Sequence, residues 1–154
     1  MKLQIKFRGK SKKTGEWCYG YYAEIHIPIT DVDANTKLII SKGTKVVHSL
    51  FNDTNRNDSS YWHDIDVETL GRFTGFCDMN NKEIYEGDIL KESMSNSKLL
   101  VRWNYNNGSF CLSEMVEDAQ LHCDSLLGEE ISRRFPMEIV GNRWDISELS
   151  NIKG

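Results

Sequence analysis

The stretch GRFTGFCDMNNKEIYEGDIL, residues 71 to 90, narrows the possible folds of this chain more than any other. Gly71 and Gly75 punctuate a run of apolar and β-branched residues, and Asp78-Met79-Asn80-Asn81-Lys82 follows as a polar reversal. Ile84-Tyr85 and Ile89-Leu90 then resume an extended pattern that breaks at Gly87-Asp88. Such an order does not wind into a helix. Glycine in a helix interior costs about 1 kcal/mol relative to alanine, and Asn and Asp prefer to bond their own backbone in turns. The stretch instead predicts a strand, a glycine-free turn and a second strand that changes direction at Gly87, as the corners of small barrels require.

Strand patterning recurs on both sides of that corner. Leu3, Ile5 and Phe7 alternate with Lys2, Gln4 and Lys6, which predicts a strand over Lys2 to Phe7. Lys13-Thr14-Gly15-Glu16 supplies a turn, and the alternation from Trp17 to Ile27 predicts the returning strand, closed by Pro28. A second hairpin is expected from Leu38 to Ser41 and Thr44 to Leu50, turning at Lys42-Gly43. The segment Asn52 to Ser60 is polar throughout and reads as an exposed loop. Leu99 to Trp103 and Phe110 to Leu112 form a hairpin about Asn107-Gly108, read as a type I′ turn. One short helix is expected near Ser125 to Arg134, ended by Pro136, and then a last strand from Met137 to Val140, a turn at Gly141-Asn142 and at most one helical turn from Ser147 to Ile152. About nine short strands and so little helix point to a mainly β protein.

The totals agree with a compact core. The 154 residues carry 39% hydrophobic and 27% charged side chains, and a chain of this length can bury about two thirds of its unfolded surface. Neither an export signal nor a membrane span is expected, since no run of eighteen apolar residues occurs. Cys18, Cys77, Cys111 and Cys123 are far apart and are expected to be free thiols of a cytoplasmic protein. The net charge of -4 argues against a protein that coats nucleic acid. Charge is nonetheless uneven. Lys2, Lys6, Arg8, Lys10, Lys12 and Lys13 precede the first acid, whereas Glu114, Glu117, Asp118, Asp124, Glu129 and Glu130 occur with no Lys or Arg among them.

Three blocks carry a family likeness. IKFRGKSKKTGEWCYGYY, VETLGRFTGFCDMNNKEIYEGDIL and EIVGNRWDISEL stand in the order of an opening hairpin, a central signature and a closing segment, and the chain resembles the YopX family of small proteins encoded by bacteriophages and prophages. The resemblance implies an N-terminal β region (residues 1–66) followed by a small SH3-like barrel (residues 67–154), with no assigned reaction, cofactor or catalytic residue. The chain departs from the family pattern at Asn81, where a glycine is usual, at Arg143-Trp144, and from Pro28 to Asp66, which has no clear counterpart.

The chemistry-bearing residues do not assemble into a recognised site. Asp31-Val32-Asp33-Ala34-Asn35 imitates the start of a calcium loop, but Thr36 and Lys42 stand where glycine and glutamate are needed. His26, His48, His63 and His122 fall in separate segments, and only His122 has a cysteine, Cys123, beside it. His63 and Asp64, adjacent on a strand, point to opposite faces and cannot form a dyad. Glu86 and Asp88 invite an acid–base or magnesium reading, but an aspartate after Gly87 is better suited to bonding backbone amides at the bend. No catalytic, cofactor-binding or metal-ligating residue is therefore expected. The leading expectation is a non-enzymatic protein-interaction or self-assembling module. The alternative is a nucleic-acid-binding regulator that uses the Lys2 to Lys13 face with Phe7, Trp17, Tyr19, Tyr21 and Tyr22 as stacking rings. A third, a metal-dependent hydrolase, would be built on Glu86, Asp88 and a distant histidine. Neither a membrane nor a small-molecule ligand is indicated.

Overall fold

A computed structural model describes residues 5–33, 35, 39–51, 62–114, 125–132 and 136–145. Within them lie ten strands and one short helix: β1 (Phe7–Ser11), β2 (Trp17–Val32), β3 (Ile39–Phe51), β4 (Trp62–Cys77), β5 (Glu83–Tyr85), β6 (Asp88–Glu92), β7 (Lys98–Asn104), β8 (Ser109–Glu114), β9 (Ser125–Leu126), α1 (Leu127–Ser132) and β10 (Met137–Asn142). The protein is mainly β. It divides into two compact units, residues 5–70 and the residues from Gly71 onward, with the division inside β4.

In the N-terminal unit, β1 to β4 lie in sequence order, and a further pairing of β1 with β4 closes the ring. The hairpin β1–β2 is present, but its first strand is Phe7–Ser11 instead of Lys2 to Phe7, with Phe7 opposite Gly20 and Lys10 opposite Trp17. Gly9 is where the ring is tightest: a Cβ there would sit 2.9 Å from the Ile65 side chain. Leu50 and Ile65, both fully buried, form the centre of this unit.

Two expectations fail in the second hairpin. Pro28 does not end β2, which runs on to Val32 beside β3. Beyond Gly20, β2 has a ladder neighbour on one side only among the described residues, so a missing N–H is tolerated as on any edge strand. Lys42-Gly43 is not a turn either. Ile29 faces Gly43 and Thr30 faces Ser41, so Lys42 is the extra residue of a bulge inside one continuous strand.

The C-terminal unit carries the antiparallel sheet β10-β6-β7-β8-β9, with β5 paired to the second half of β4. Ile84, Leu90, Val101, Leu112, Leu127 and Met137 form its core, and Phe76, Leu99, Phe110, Ile131 and Ile139 pack around them. The corner anticipated from sequence is present. Asn81 adopts φ 63° in the turn, and the Asp78 carboxylate accepts the amides of Asn80 and Lys82 at 2.9 Å and of Ile139 at 3.1 Å. Gly87 has φ 88°, and a Cβ there would run into the indole of Trp144. At Gly71 a Cβ would lie 2.5 Å from the Glu86 carbonyl oxygen, so this position takes no side chain.

Other local readings need correction. The loop between β7 and β8 has four residues, Tyr105 to Gly108, and Gly108 alone takes positive φ, 65°, so the turn is not type I′. Gly141-Asn142 belongs to β10, where the register slips between Ile139 and Gly141, and the turn comes after it at Arg143-Trp144. The helix is shorter than expected because Ser125–Leu126 pairs with Cys111–Leu112 as a strand. Cys18 and Cys77 are free, but Cys111 is disulfide-bonded, against the expectation of four free thiols. The expected Asn52 to Ser60 loop, the Ser147 to Ile152 turn, His122 and Cys123 lie outside the described residues.

Candidate interaction surfaces

Most of the described residues singled out for chemistry each engage a neighbour of their own. Glu86 Oε2 lies 3.4 Å from Arg72 Nε, and buried Asp88 accepts the Tyr85 amide at 2.8 Å, which is the backbone-locking role anticipated at the bend. His26 Nε2 lies 2.8 Å from Glu24 Oε1, His48 Nδ1 lies 2.7 Å from the Tyr22 hydroxyl, and Asp64 Oδ1 lies 3.7 Å from Lys12 Nζ. His63 and Asp64 take opposite faces of β4. Asp31 is held in β2 opposite Ile40, while the Asp33 carboxylate accepts the amide of Asn35. Among the described residues no three of His, Cys, Asp and Glu converge to hold a metal ion.

The basic N-terminal segment is largely engaged within the chain. Arg8 is buried with its guanidinium 4.7 Å from the centre of the Trp17 ring, Lys10 Nζ lies 5.4 Å from the same ring, and Lys12 pairs with Asp64. Cations so placed rigidify the ring they cover. Lys2 lies outside the described residues.

Among the described residues, large apolar side chains are exposed in both units, singly at Met94 and Tyr105 in the C-terminal one and as neighbours on paired strands in the N-terminal one. Tyr21, Phe51 and Trp62 face one another across β2, β3 and β4, and the last two meet edge to face at 4.2 Å. Tyr21 and Trp62 remain 48% and 45% exposed. Further along, β2 and β3 continue as a two-stranded ribbon that is in solvent on both faces, with Ile27 and Ile29 46% and 44% exposed on one face and Val46 exposed on the other. A two-stranded ribbon is marginally stable alone in water. Its outer edges carry unpaired strand backbone among the described residues.

The C-terminal unit holds a cleft of about 520 Å³ lined by Phe76, Trp103, Phe110, Leu126, Gly128 and Glu129, with Gly108 and Ser109 at one end. Trp103 and Phe110 are directly opposed on β7 and β8, with ring centres 4.9 Å apart at 71°. Arg72 lays its guanidinium 4.0 Å from the centre of Trp103 and 5.5 Å from that of Phe110, while Glu86 holds its other end. The two rings are thereby fixed before anything binds. Sequence reasoning missed this cleft because its residues come from five separate elements and no spacing marks them. The one legible signal was the pair of aromatics flanking the β7–β8 turn.

The profile of the family described as YopX protein matches residues 6–150. The chain belongs to the YopX family. The match spans both units and runs through the Pro28 to Asp66 segment, where a departure from the family pattern is expected from the sequence. No curated protein matches this YopX family member. No helix among its described residues is long and apolar enough to cross a membrane.

Proposed function

We propose that this YopX family member is a non-enzymatic protein-interaction module, an accessory protein of a bacteriophage or prophage that acts in the bacterial cytoplasm by binding copies of itself or another protein. The observation that carries the reading is the β2–β3 ribbon, which leaves Ile27, Ile29 and Val46 in solvent beyond the closed ring. Burying an aliphatic side chain contributes about 1.5–3 kcal/mol, so leaving three of them uncovered forgoes a large stabilisation unless a second surface arrives. Tyr21 and Trp62 add ring types that dominate the centres of protein interfaces. The phage origin rests on the family, and the engagement of Glu86 with Arg72, of Asp88 with the Tyr85 amide, of His26 with Glu24 and of His48 with Tyr22 supports the non-enzymatic reading.

Light scattering across a concentration series, together with affinity capture from phage-infected cells, tests it. Self-association, or capture of a discrete protein, either of them lost on replacing Ile27 and Ile29 by lysine, is the expected result. A strict monomer that captures no protein overturns the proposal.

A further inference from the structure

The β2–β3 ribbon has two free edges as well as two free faces, and the edges are chemically unlike. We propose that the ribbon, an interaction surface on the reading above and resting on it, receives a second copy of this chain joined edge to edge, with β2 of one copy laid beside β3 of the next.

The backbone supplies the joint. Among the described residues, β2 beyond Gly20 is laddered to β3 alone, and β3 from Ile39 to His48 is laddered to β2 alone. Each edge therefore presents strand N–H and C=O groups that a further strand can pair. Pro28 has no N–H to offer, which weakens the ladder on the β2 edge without abolishing it and restrains runaway pairing. Both strands also carry exposed aliphatic side chains, Ile27 and Ile29 on β2 and Val46 on β3, so the joint sets aliphatic beside aliphatic.

Charge identifies the occupant as a copy. From Trp17 to Val32, β2 holds the acids Glu24 and Asp31 and no Lys or Arg, whereas from Ile39 to Phe51, β3 holds Lys42 and Lys45 and no Asp or Glu. Lys45 is exposed and has no ion-pair partner among the described residues, and Glu24 is exposed beside His26. Glu24 and Lys45 do not neutralise each other within one chain. Glu24 stands opposite His48 and Lys45 opposite Ile27, which puts them on opposite faces of the ribbon. An acidic edge and a basic edge on the same ribbon complement each other between copies. Equal edges repel, since β2 against β2 sets acid against acid and β3 against β3 sets base against base. An unrelated strand would match one edge and leave the other bare. A joint between unlike edges is heterologous: every added copy still offers a free edge, so assembly continues to a ring or an open array instead of stopping at two.

The test uses the full chain and a charge-reversed form carrying Glu24→Lys, Asp31→Lys, Lys42→Glu and Lys45→Glu. Two acids become lysines and two lysines become glutamates, so the net charge stays at -4 and the two strands of each ribbon still differ in sign. Light scattering is expected to show the wild-type protein growing beyond two copies as its concentration rises, and the exposed substitution Lys45→Glu alone to weaken that growth several-fold. In a mixture of wild-type and reversed proteins labelled with donor and acceptor dyes, the two are expected to sort apart, because β2 of each carries the same sign as β3 of the other. Energy transfer between unlike copies should be about fivefold weaker than between like copies at low salt, with the difference shrinking at high salt. A dimer that does not grow, random mixing, or preferential mixing of unlike copies overturns the inference. A monomer that captures another protein, with capture lost on replacing Ile27 and Ile29 by lysine, also overturns it but leaves the ribbon standing as an interaction surface, whereas a monomer that captures nothing overturns both.

Discussion

The β2–β3 ribbon and the sheet β10-β6-β7-β8-β9 are both antiparallel and both rich in Val, Ile and Leu, yet they treat those side chains in opposite ways. In the sheet, Ile89, Leu90, Val101 and Leu112 are buried to within 1%. In the ribbon, Ile27, Ile29 and Val46 are exposed. The difference lies in neighbours, not in composition. Each inner strand of the sheet has a partner on both sides, and Leu90, Val101 and Leu112 cluster with Leu127 and Met137, whereas the ribbon has two strands and solvent on both faces. Alternating apolar residues therefore identify a strand without saying whether its face is covered.

Substitutions in the two regions should separate sharply. Leu90→Ala, in the sheet core, is expected to cost about 2–5 kcal/mol in chemical denaturation, because the packed surroundings cannot collapse into the space. Gly87→Ala comes next, at about 2 kcal/mol, since the new Cβ needs positive φ and collides with Trp144. A double-mutant cycle with Trp144→Ala isolates the collision; full additivity would show that the indole is not what excludes a side chain there.

Asp78→Ala removes the carboxylate that accepts the amides of Asn80, Lys82 and Ile139 and should cost about 1 kcal/mol, with a pH signature. Partial burial alone would raise this carboxyl, but the amides of Lys82, Ile139 and Asn80 and the Lys82 charge together hold it below the usual carboxylate range. Its contribution is therefore present above the ordinary carboxylate pKa and disappears as the pH falls through the depressed folded-state value. Denaturation of wild type and variant should converge at acid pH, and a gap that persists unchanged there would refute this assignment. The smallest effect belongs to the ribbon. Ile29→Ala should shift the stability of the dilute protein by less than about 0.5 kcal/mol, and a loss comparable to that of Leu90→Ala would mean the ribbon is covered within the chain.

The sequence reading succeeded where one residue type answers one local demand. Gly71 and Gly87 are required by close approach, Asn81 by left-handed geometry, and Asp88 by an amide at the bend. It failed where a local signal has two uses. Gly43 fits a turn or a bulge, Pro28 fits a strand end or a strand edge, and Asn107-Gly108 fits a two-residue or a four-residue connection; tertiary pairing chose the second each time. Similarly, the Lys and Arg of the N-terminal segment read as an open basic face, whereas Arg8 and Lys10 lie over Trp17. The cleft was illegible because Arg72 and Phe76 of β4 meet Trp103 and Phe110 of the β7–β8 pair through side-chain packing, not through spacing along the chain.

Hydrogen exchange across β2 and β3, measured on dilute protein, on concentrated protein and on protein carrying any captured partner, tests the central claim most directly. If protein covers the ribbon, amides from His26 to Thr30 and from Thr44 to Val46 exchange fast when dilute and slow down on concentration or partner binding, while the core amides of β6 and β7 stay protected throughout. Equally fast exchange of the ribbon in all three samples would contradict it.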